Sequence, residues 1–243
     1  MKNFTHKNFT IHQFDELEST NSKAFDLANS RQIFENEIIL ADKQTNGRGR
    51  QSRVWSSPAG NLYFSLVLCP KISAVKVSQI SFVAIVAMQA VVARMTTSKV
   101  EVKWPNDLLI NEKKVSGLLL ESKISGENCE FVILGIGVNI ASKPDNTIFP
   151  AAALKDFGVE ILPENLLKNF LDEFEKLYQS WCNFGFSFVR KAWLENAFRL
   201  KKEITVKLAG KELRGVFEDF DEEGNLVLRC GDNLVKISTA DVS

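Results

Sequence analysis

Two stretches about sixty residues apart, Gly47-Arg48-Gly49-Arg50 and Lys103-Trp104-Pro105-Asn106-Asp107, hold the residue types best suited to handling anions. Glycine lets backbone N–H groups approach an anion closely, and arginine offers a planar fork matching carboxylate or phosphate oxygens. The second stretch reads as a rigid turn with a polar tip, followed shortly by Lys114 and Gly117. Together they point to a site that brings two anionic partners together. Each piece also has a plainer reading. The segment Asp42 to Arg53 could be a solvated or phosphate-contacting loop, and Asn106-Asp107 after a proline an ordinary turn. Ser19-Thr20-Asn21 suits a helix cap, Lys114 and Glu121 suit hairpin and strand charges, and His6 and His12 read as incidental. The Gly-x-Gly element lacks the third glycine and following helix of a dinucleotide fingerprint. No G-x-x-x-x-G-K-[ST] phosphate loop occurs, which excludes that nucleotidase class.

The elements that must position these groups are legible in the hydrophobic pattern. Phe9 to Phe14 reads as a short strand, and Ser22 to Ala28 as a helix capped by Ser19 or Thr20. Ile38 to Ala41 is a buried-type strand that runs into the Gly/Arg loop, and Leu62 to Leu68 is a strong strand. Ser78 to Met95 is apolar all round, as a buried helix is, and too interrupted to predict a membrane span. Val100 to Lys103 alternates like a strand. Leu108 to Ile110 and Lys114 to Glu121 flank Asn111-Glu112-Lys113 as a hairpin. Phe131 to Asn139 is a strand whose Gly135 and Gly137 suggest close approach of a ligand or backbone. Leu166 to Phe184 and Phe188 to Phe198 are amphipathic helices. After Leu200, strands at 204–208, 212–218, 225–229 and 234–238 are separated by turns at Ala209-Gly210-Lys211, Asp221 to Asn225 and Gly231-Asp232-Asn233. This close spacing predicts a small β-barrel of about forty residues.

Composition bounds the class. The 243 residues are 45% hydrophobic, enough for a full core. Thirty basic and thirty acidic residues cancel, which argues against a chain-wide electrostatic nucleic-acid binder and leaves only local basic function. Cys69, Cys129, Cys182 and Cys230 form no C-x-x-C pair, so a disulfide framework or zinc site is not expected and a reducing cytoplasm is. The polar N-terminus has no signal-peptide core, and no run of about 18 uninterrupted apolar residues occurs.

Six segments then combine: Glu18-Ser19-Thr20-Asn21, Gln44 to Arg50, Trp55 to Ser65, Lys103 to Asp107, Lys114 to Leu119 and Gly135-Ile136-Gly137-Val138-Asn139. In their order and spacing the chain resembles the biotin–protein ligases, the biotin–[acetyl-CoA-carboxylase] ligases, from about residue 10 to the C-terminus. The resemblance implies an α+β fold, with a mixed-sheet catalytic domain of the class II aminoacyl-tRNA synthetase type over residues 1–199. A small SH3-like β-barrel at 200–243 follows it. It implies biotin and ATP as substrates, Mg²⁺ beside the leaving diphosphate, and a lysine of a biotin carboxyl carrier protein as acceptor. Family members often form homodimers. Because the ligase pattern begins so near Met1, no N-terminal helix-turn-helix and no direct DNA binding are expected.

Residue by residue, the resemblance puts Ser19, Thr20, Asn21 and Gln44 on biotin. Hydroxyls and an amide suit a ureido head, which needs donors and acceptors together. Gly47, Arg48, Gly49 and Arg50 form a glycine-hinged lid over biotin and its adenylate, with Lys114 and Gly117 beside them. Arg50 and Lys114 stabilise charge at the α-phosphate, and Asp107 orients Lys114 or the incoming lysine. Trp55, Asn106 and Asn139 join Arg48, Arg50 and Lys114 on the nucleotide. One departure lies at 141–154, where some relatives carry an aromatic against adenine and Phe149 is the candidate here. The competing readings are a lipoate–protein ligase, whose substrate has no ureido head, and a non-enzymatic biotin-sensing or nucleic-acid-binding regulator.

Overall fold

The computed structural model describes residues 2–145, 147, 149–208 and 211–242. Among the described residues, thirteen strands and four α-helices form an eight-stranded mixed sheet with helices on both faces, then a five-stranded antiparallel sheet. The first sheet contains β1 (Lys2–His6), β2 (Phe9–Leu17), β3 (Glu37–Gln44), β4 (Leu62–Leu68), β5 (Val100–Lys103), β6 (Asp107–Ile110), β7 (Lys113–Ser125) and β8 (Asn128–Val138). Their order across the sheet is β1-β2-β3-β4-β8-β7-β6-β5. Only β2 and β3 pair in parallel. The connection between them is α1 (Thr20–Asn29), as a parallel pair requires a crossover.

The period of two along the strands sorts the sheet into faces. On β4, Leu62, Phe64, Leu66 and Leu68 face the main core, while Tyr63, Ser65 and Val67 face the other way. On β8, Val132, Leu134, Ile136 and Val138 enter the main core, and the alternate positions are Phe131, Ile133, Gly135 and Gly137. Against the main core pack α2 (Gln79–Ala93), α3 (Pro163–Phe184) and α4 (Ser187–Glu195). On the opposite face α1 covers Ile39, Val67 and Ile133 through Ala24 and Ala28. Beyond the N-terminus of α1 the glycine positions leave that face open.

The helical stretch Ala74–Ala93 is, against the expectation from its interruptions, long and apolar enough to cross a membrane by length and composition. Yet 67% of its most apolar window is buried inside the fold, with Phe82, Ile85 and Met88 in the core. Two edge strands escaped the hydrophobic pattern. β1 is short and polar, and gains its pairing from β2 and an anchor from His6 Nε2 to Asp172 at 2.8 Å. β13 (Asp241–Val242) is two residues long and pairs with β9. The hairpin at 111–113 closes with left-handed Asn111 and Glu112, the twist that a two-residue turn needs.

The second sheet comprises β9 (Glu203–Leu208), β10 (Lys211–Phe220), β11 (Leu226–Cys230) and β12 (Asn233–Ile237), with β13 beside β9. Of the expected turn at 209–211, Ala209 and Gly210 lie outside the described residues. An aromatic cluster joins this sheet to the larger one. Phe82 stacks on Phe220 with centroids 4.7 Å apart, and Trp193 meets Phe220 edge-on at 5.0 Å. Gly224, at φ +84°, brings its backbone against Phe82, and Trp104 Nε1 donates to Gly224 O at 2.9 Å. The Lys103–Asp107 turn is thus tied to the second sheet through its own tryptophan.

Phe220→Ala empties the centre of this cluster and is expected to cost about 3–5 kcal/mol, measured by urea unfolding. A loss under about 1 kcal/mol would mean that the cluster does not hold the two sheets together.

Candidate active site

A cavity of about 630 Å³ opens over the uncovered part of the large sheet, within the size range of small-molecule sites. Its walls come from the start of α1, the 44–57 loop, the Lys103–Asp107 turn, β7, β8, the 139–151 segment and β13. Ser19, Thr20, Asn21, Gln44, Arg48, Gly49, Arg50, Trp55, Asn106, Asp107, Lys114, Gly117 and Asn139 all line it. Gly47 packs in the loop wall behind.

One end is neutral and densely hydrogen-bonded. Ser19 caps α1, its hydroxyl accepting from Ser22 N–H at 3.4 Å. Thr20 donates its N–H and its hydroxyl to Gln44 Oε1, at 2.8 and 3.2 Å, and Gln44 Nε2 donates to Ser57 Oγ at 2.9 Å. Ser65, fully buried on β4, places its hydroxyl 2.8 Å from Thr20 Oγ1 and 2.6 Å from Asn21 Oδ1. Asn21 Nδ2 donates to Glu121 at 2.9 Å and to Leu119 O at 3.3 Å. Asn21 is therefore consumed by the protein, whereas the Ser19 hydroxyl proton and one Gln44 amide proton are given to no described residue.

The floor is built by omission. A Cβ at Gly135 would sit 1.9 Å from Asn21 Oδ1, and one at Gly137 2.5 Å from Trp55 Nε1. At Gly117 it would meet Trp55 Cζ3 at 3.0 Å and Lys114 Nζ at 3.2 Å. Only glycine lets the Trp55 indole lie flat on two adjacent strands. Trp55 Nε1 is buried without a hydrogen-bond partner among the described residues, as is Asn139 Oδ1, whose Nδ2 donates to Ala152 O at 3.1 Å.

The other end is cationic. Lys114 Nζ lies 2.6 Å from Asp107 Oδ1 and 5.2 Å from the Trp55 ring centre. Arg50 donates to Thr239 Oγ1 at 2.6 Å and to Asn106 Oδ1 at 3.4 Å. Burial lowers its affinity for a proton below that of an ordinary arginine. Asn106 Nδ2 donates to Leu118 O, so this amide is also engaged. Arg53 reaches Asp241 at 2.8 Å. Lys103, only 7% exposed, is pushed down to about 8 by burial, and its ammonium lies 3.4 Å from the Phe149 ring centre.

Arg48 and Arg50, two residues apart, turn to opposite ends. Arg48 pairs with Glu121 at 2.6 Å and meets Ser22 Oγ at 3.2 Å, roofing the neutral end. In this loop Gln51 and Ser52, rather than the glycines, take the positive φ values. Gly47 is required for another reason, since a Cβ there would meet Trp55 O at 2.4 Å and Ser57 Oγ at 2.5 Å.

Several residues of the site carry little signal in the sequence. Ser65 ends one of the six segments but is given no role there, and Glu121 reads only as a strand charge. Asn61 Oδ1 accepts the N–H groups of Ile140, Ala141 and Ser142, pinning the segment that forms the far wall. Thr239 comes from the link between β12 and β13 and Asp241 from β13, while Lys103 opens a stretch that the sequence singles out without giving the lysine itself a role.

Residues 14–139 match the biotin/lipoate A/B protein ligase family, and residues 200–243 match the biotin protein ligase C-terminal domain. A biotin–[acetyl-CoA-carboxylase] ligase of Paracoccus denitrificans is 37% identical over 220 residues, covering 87% of this chain and 91% of that protein. The bifunctional ligase/repressor BirA of Bacillus subtilis is 34% identical, covering 94% of this chain and 72% of that protein. Among solved structures, the biotin protein ligase of Aquifex aeolicus in complex with biotin and ATP superposes with a TM-score of 0.82 at 25% identity. The match spans 96% of this chain and 97% of that one. The sheet, the glycine floor and the two-ended cavity are thus carried by a chain that belongs to the biotin/lipoate A/B protein ligase family and ends in a biotin protein ligase C-terminal domain.

Proposed function

We propose that the protein is an ATP-dependent biotin–protein ligase that activates biotin as biotinyl-5′-AMP and transfers biotin to a lysine of a biotin carboxyl carrier protein. The observation that carries this reading is one cavity with a neutral, dual-purpose polar end and a cationic end, joined across a glycine floor. The ureido head suits the first end, where the Ser19 hydroxyl and the Gln44 amide retain protons to give. Burying that head unpaired would cost about 1–3 kcal/mol per group. Arg48, held over this end by Glu121 and Ser22, covers the ligand and excludes water.

Activation brings two anions into bonding distance. A biotin carboxylate oxygen bonds to the α-phosphorus of ATP, the bond to the bridging oxygen breaks, and diphosphate leaves with the electron pair. Lys114 and Arg50 neutralise the charge that builds on the phosphoryl oxygens. Asp107, 2.6 Å from Lys114, holds that ammonium in place rather than acting as the base. The neutral lysine amine then attacks the acyl carbon of the adenylate, the bond from that carbon to the phosphate oxygen breaks, AMP leaves with the electron pair, and the amine's proton is lost to water. The Asn139 Oδ1 left unpartnered at the cavity wall suits an adenine amine donor.

Among the described residues no three His, Cys, Asp or Glu side chains converge to hold a metal ion, and Asp107 is engaged by Lys114. A magnesium ion, if bound with the nucleotide, would add to the charge neutralisation that Lys114 and Arg50 provide at the phosphates.

The decisive experiment is ATP-dependent transfer of labelled biotin, with lipoate as the competing substrate, to a carrier domain. Biotin transfer is expected, and preferential lipoate transfer would replace this reading with that of a lipoate ligase. Lys114→Ala and Arg50→Ala are each expected to slow adenylate formation about 10²–10³-fold. Retention of wild-type rates in both adenylation and transfer by Lys114→Ala would remove its assigned role. Asp107→Asn is expected to reduce carrier biotinylation, and an unchanged rate would exclude its positioning role. Gly137→Ala lifts Trp55 off the sheet and is expected to weaken adenylate binding at least about tenfold, read by calorimetry with a non-hydrolysable analogue.

A further inference from the structure

Lys103 belongs to a motif whose lysine has no role in the steps above. It is buried, it lines the cavity, and no carboxylate lies within ion-pairing distance of its ammonium among the described residues. The two acids nearest in charge, Asp107 and Asp241, are held by Lys114 and Arg53. A buried lysine without a counter-anion is costly, and burial indeed pushes its proton affinity down, to about 8. Its present support is the face of Phe149, 3.4 Å from the ammonium. Phe149 is itself braced edge-on by Phe198 at 6.4 Å. An aromatic face stabilises a cation but leaves its hydrogen-bond donors unused, so phosphate oxygens compete well for it.

The strand order gives the direction. From the neutral end, the cavity floor passes Gly135 and Gly137 on β8, Gly117 on β7, Asp107 on β6 and reaches Lys103 on the edge strand β5. Lys114 and Asp107 stand at the intermediate station, where the α-phosphate sits in the ligase reading. In-line displacement sends the leaving group away from the attacking carboxylate, towards β5 and the second sheet. Among the described residues Lys103 and Lys207 are the cavity-lining cations whose charge is neither paired nor hydrogen-bonded, and of the two only Lys103 is buried.

We propose that Lys103 is a two-position cation, seated on Phe149 as the structure shows it and drawn onto the β,γ-phosphates by ATP, where it binds the departing diphosphate. The inference rests on the ligase reading and adds to it a residue for the leaving group. Phe149 in this account is a seat for a cation before it is a surface for a base.

The test is calorimetric binding of inorganic diphosphate and of AMP to the full-length protein and its Lys103→Met, Lys103→Arg and Phe149→Leu variants. Lys103→Met is expected to weaken diphosphate binding at least about tenfold while changing AMP binding less than about twofold, with Lys103→Arg intermediate. Transfer from preformed biotinyl-5′-AMP to the carrier should keep its wild-type rate, because the diphosphate has already gone. Phe149→Leu is expected to tighten diphosphate binding about two- to fivefold, since the ammonium no longer has to leave the ring. A purely structural role for the pair gives the opposite sign. Wild-type diphosphate affinity in Lys103→Met, or weakened affinity in Phe149→Leu, overturns the proposal. Should Lys103→Met fail to fold, the sign of the Phe149→Leu effect decides alone. Absence of biotin transfer by the wild-type protein would instead overturn the ligase reading.

Discussion

The missing Cβ atoms of Gly117, Gly135 and Gly137 are the constraint on which the site depends. They lie on one face of two adjacent strands, where any larger residue would fill the space now taken by Asn21 and Trp55. Because Gly135 is bare, the first turn of α1 can press its polar residues onto β8. Because Gly137 and Gly117 are bare, the Trp55 indole can lie flat and carry the 44–57 loop with it. The same strands direct Leu134, Ile136 and Val138 into the main core from their other face. A close-packed core beneath keeps the floor rigid, and an absence of side chains above keeps it open.

Charge is distributed along this floor with a clear gradient. The chain is neutral overall, with thirty positive and thirty negative residues, yet Arg50, Arg53, Lys103 and Lys114 gather at one end of a single cavity. Each is held by a different device: a hydroxyl from the link between β12 and β13, a carboxylate from β13, an aromatic ring and Asp107. These are interactions that an incoming phosphate can replace. The neutral end is different, since its polar atoms bond mainly to one another and only a few protons remain for a ligand. The second sheet takes part in this arrangement directly, through Thr239 and Asp241, and is tied to the first by the Phe82–Phe220 stack.

The helices and long strands are legible because burial selects apolar residues, as a continuous run in α2 and β4 and as a helical period in α3. The pattern predicts α2 over Ser78 to Met95 and the helix spans Gln79–Ala93, while the strand expected at Leu62 to Leu68 has those bounds. The two edge elements are not, because β1 and β13 bury little and their residues satisfy no pattern. The resemblance reads the Gly/Arg loop as a glycine-hinged lid. The structure adds left-handed backbone at Gln51 and Ser52 and a second need for Gly47, the nearness of Trp55 and Ser57. The reason that a glycine is needed, torsional freedom or lack of volume, depends on its neighbours in space.

By itself the sequence determined which chemical groups are available and in what order: a hydroxyl-rich helix start, two loop arginines, a lysine after a hairpin, and glycines in a buried strand. Local pattern carries that much because periodicity and turn chemistry act over a few residues. Only the tertiary structure decided how the groups are partnered. It set Arg48 and Arg50 at opposite ends, joined Lys114 to Asp107, spent Asn21 and Asn106 on the protein, and left Lys103 on a ring. Those outcomes depend on strands distant in sequence lying side by side, at separations of a few ångströms that no local spacing encodes.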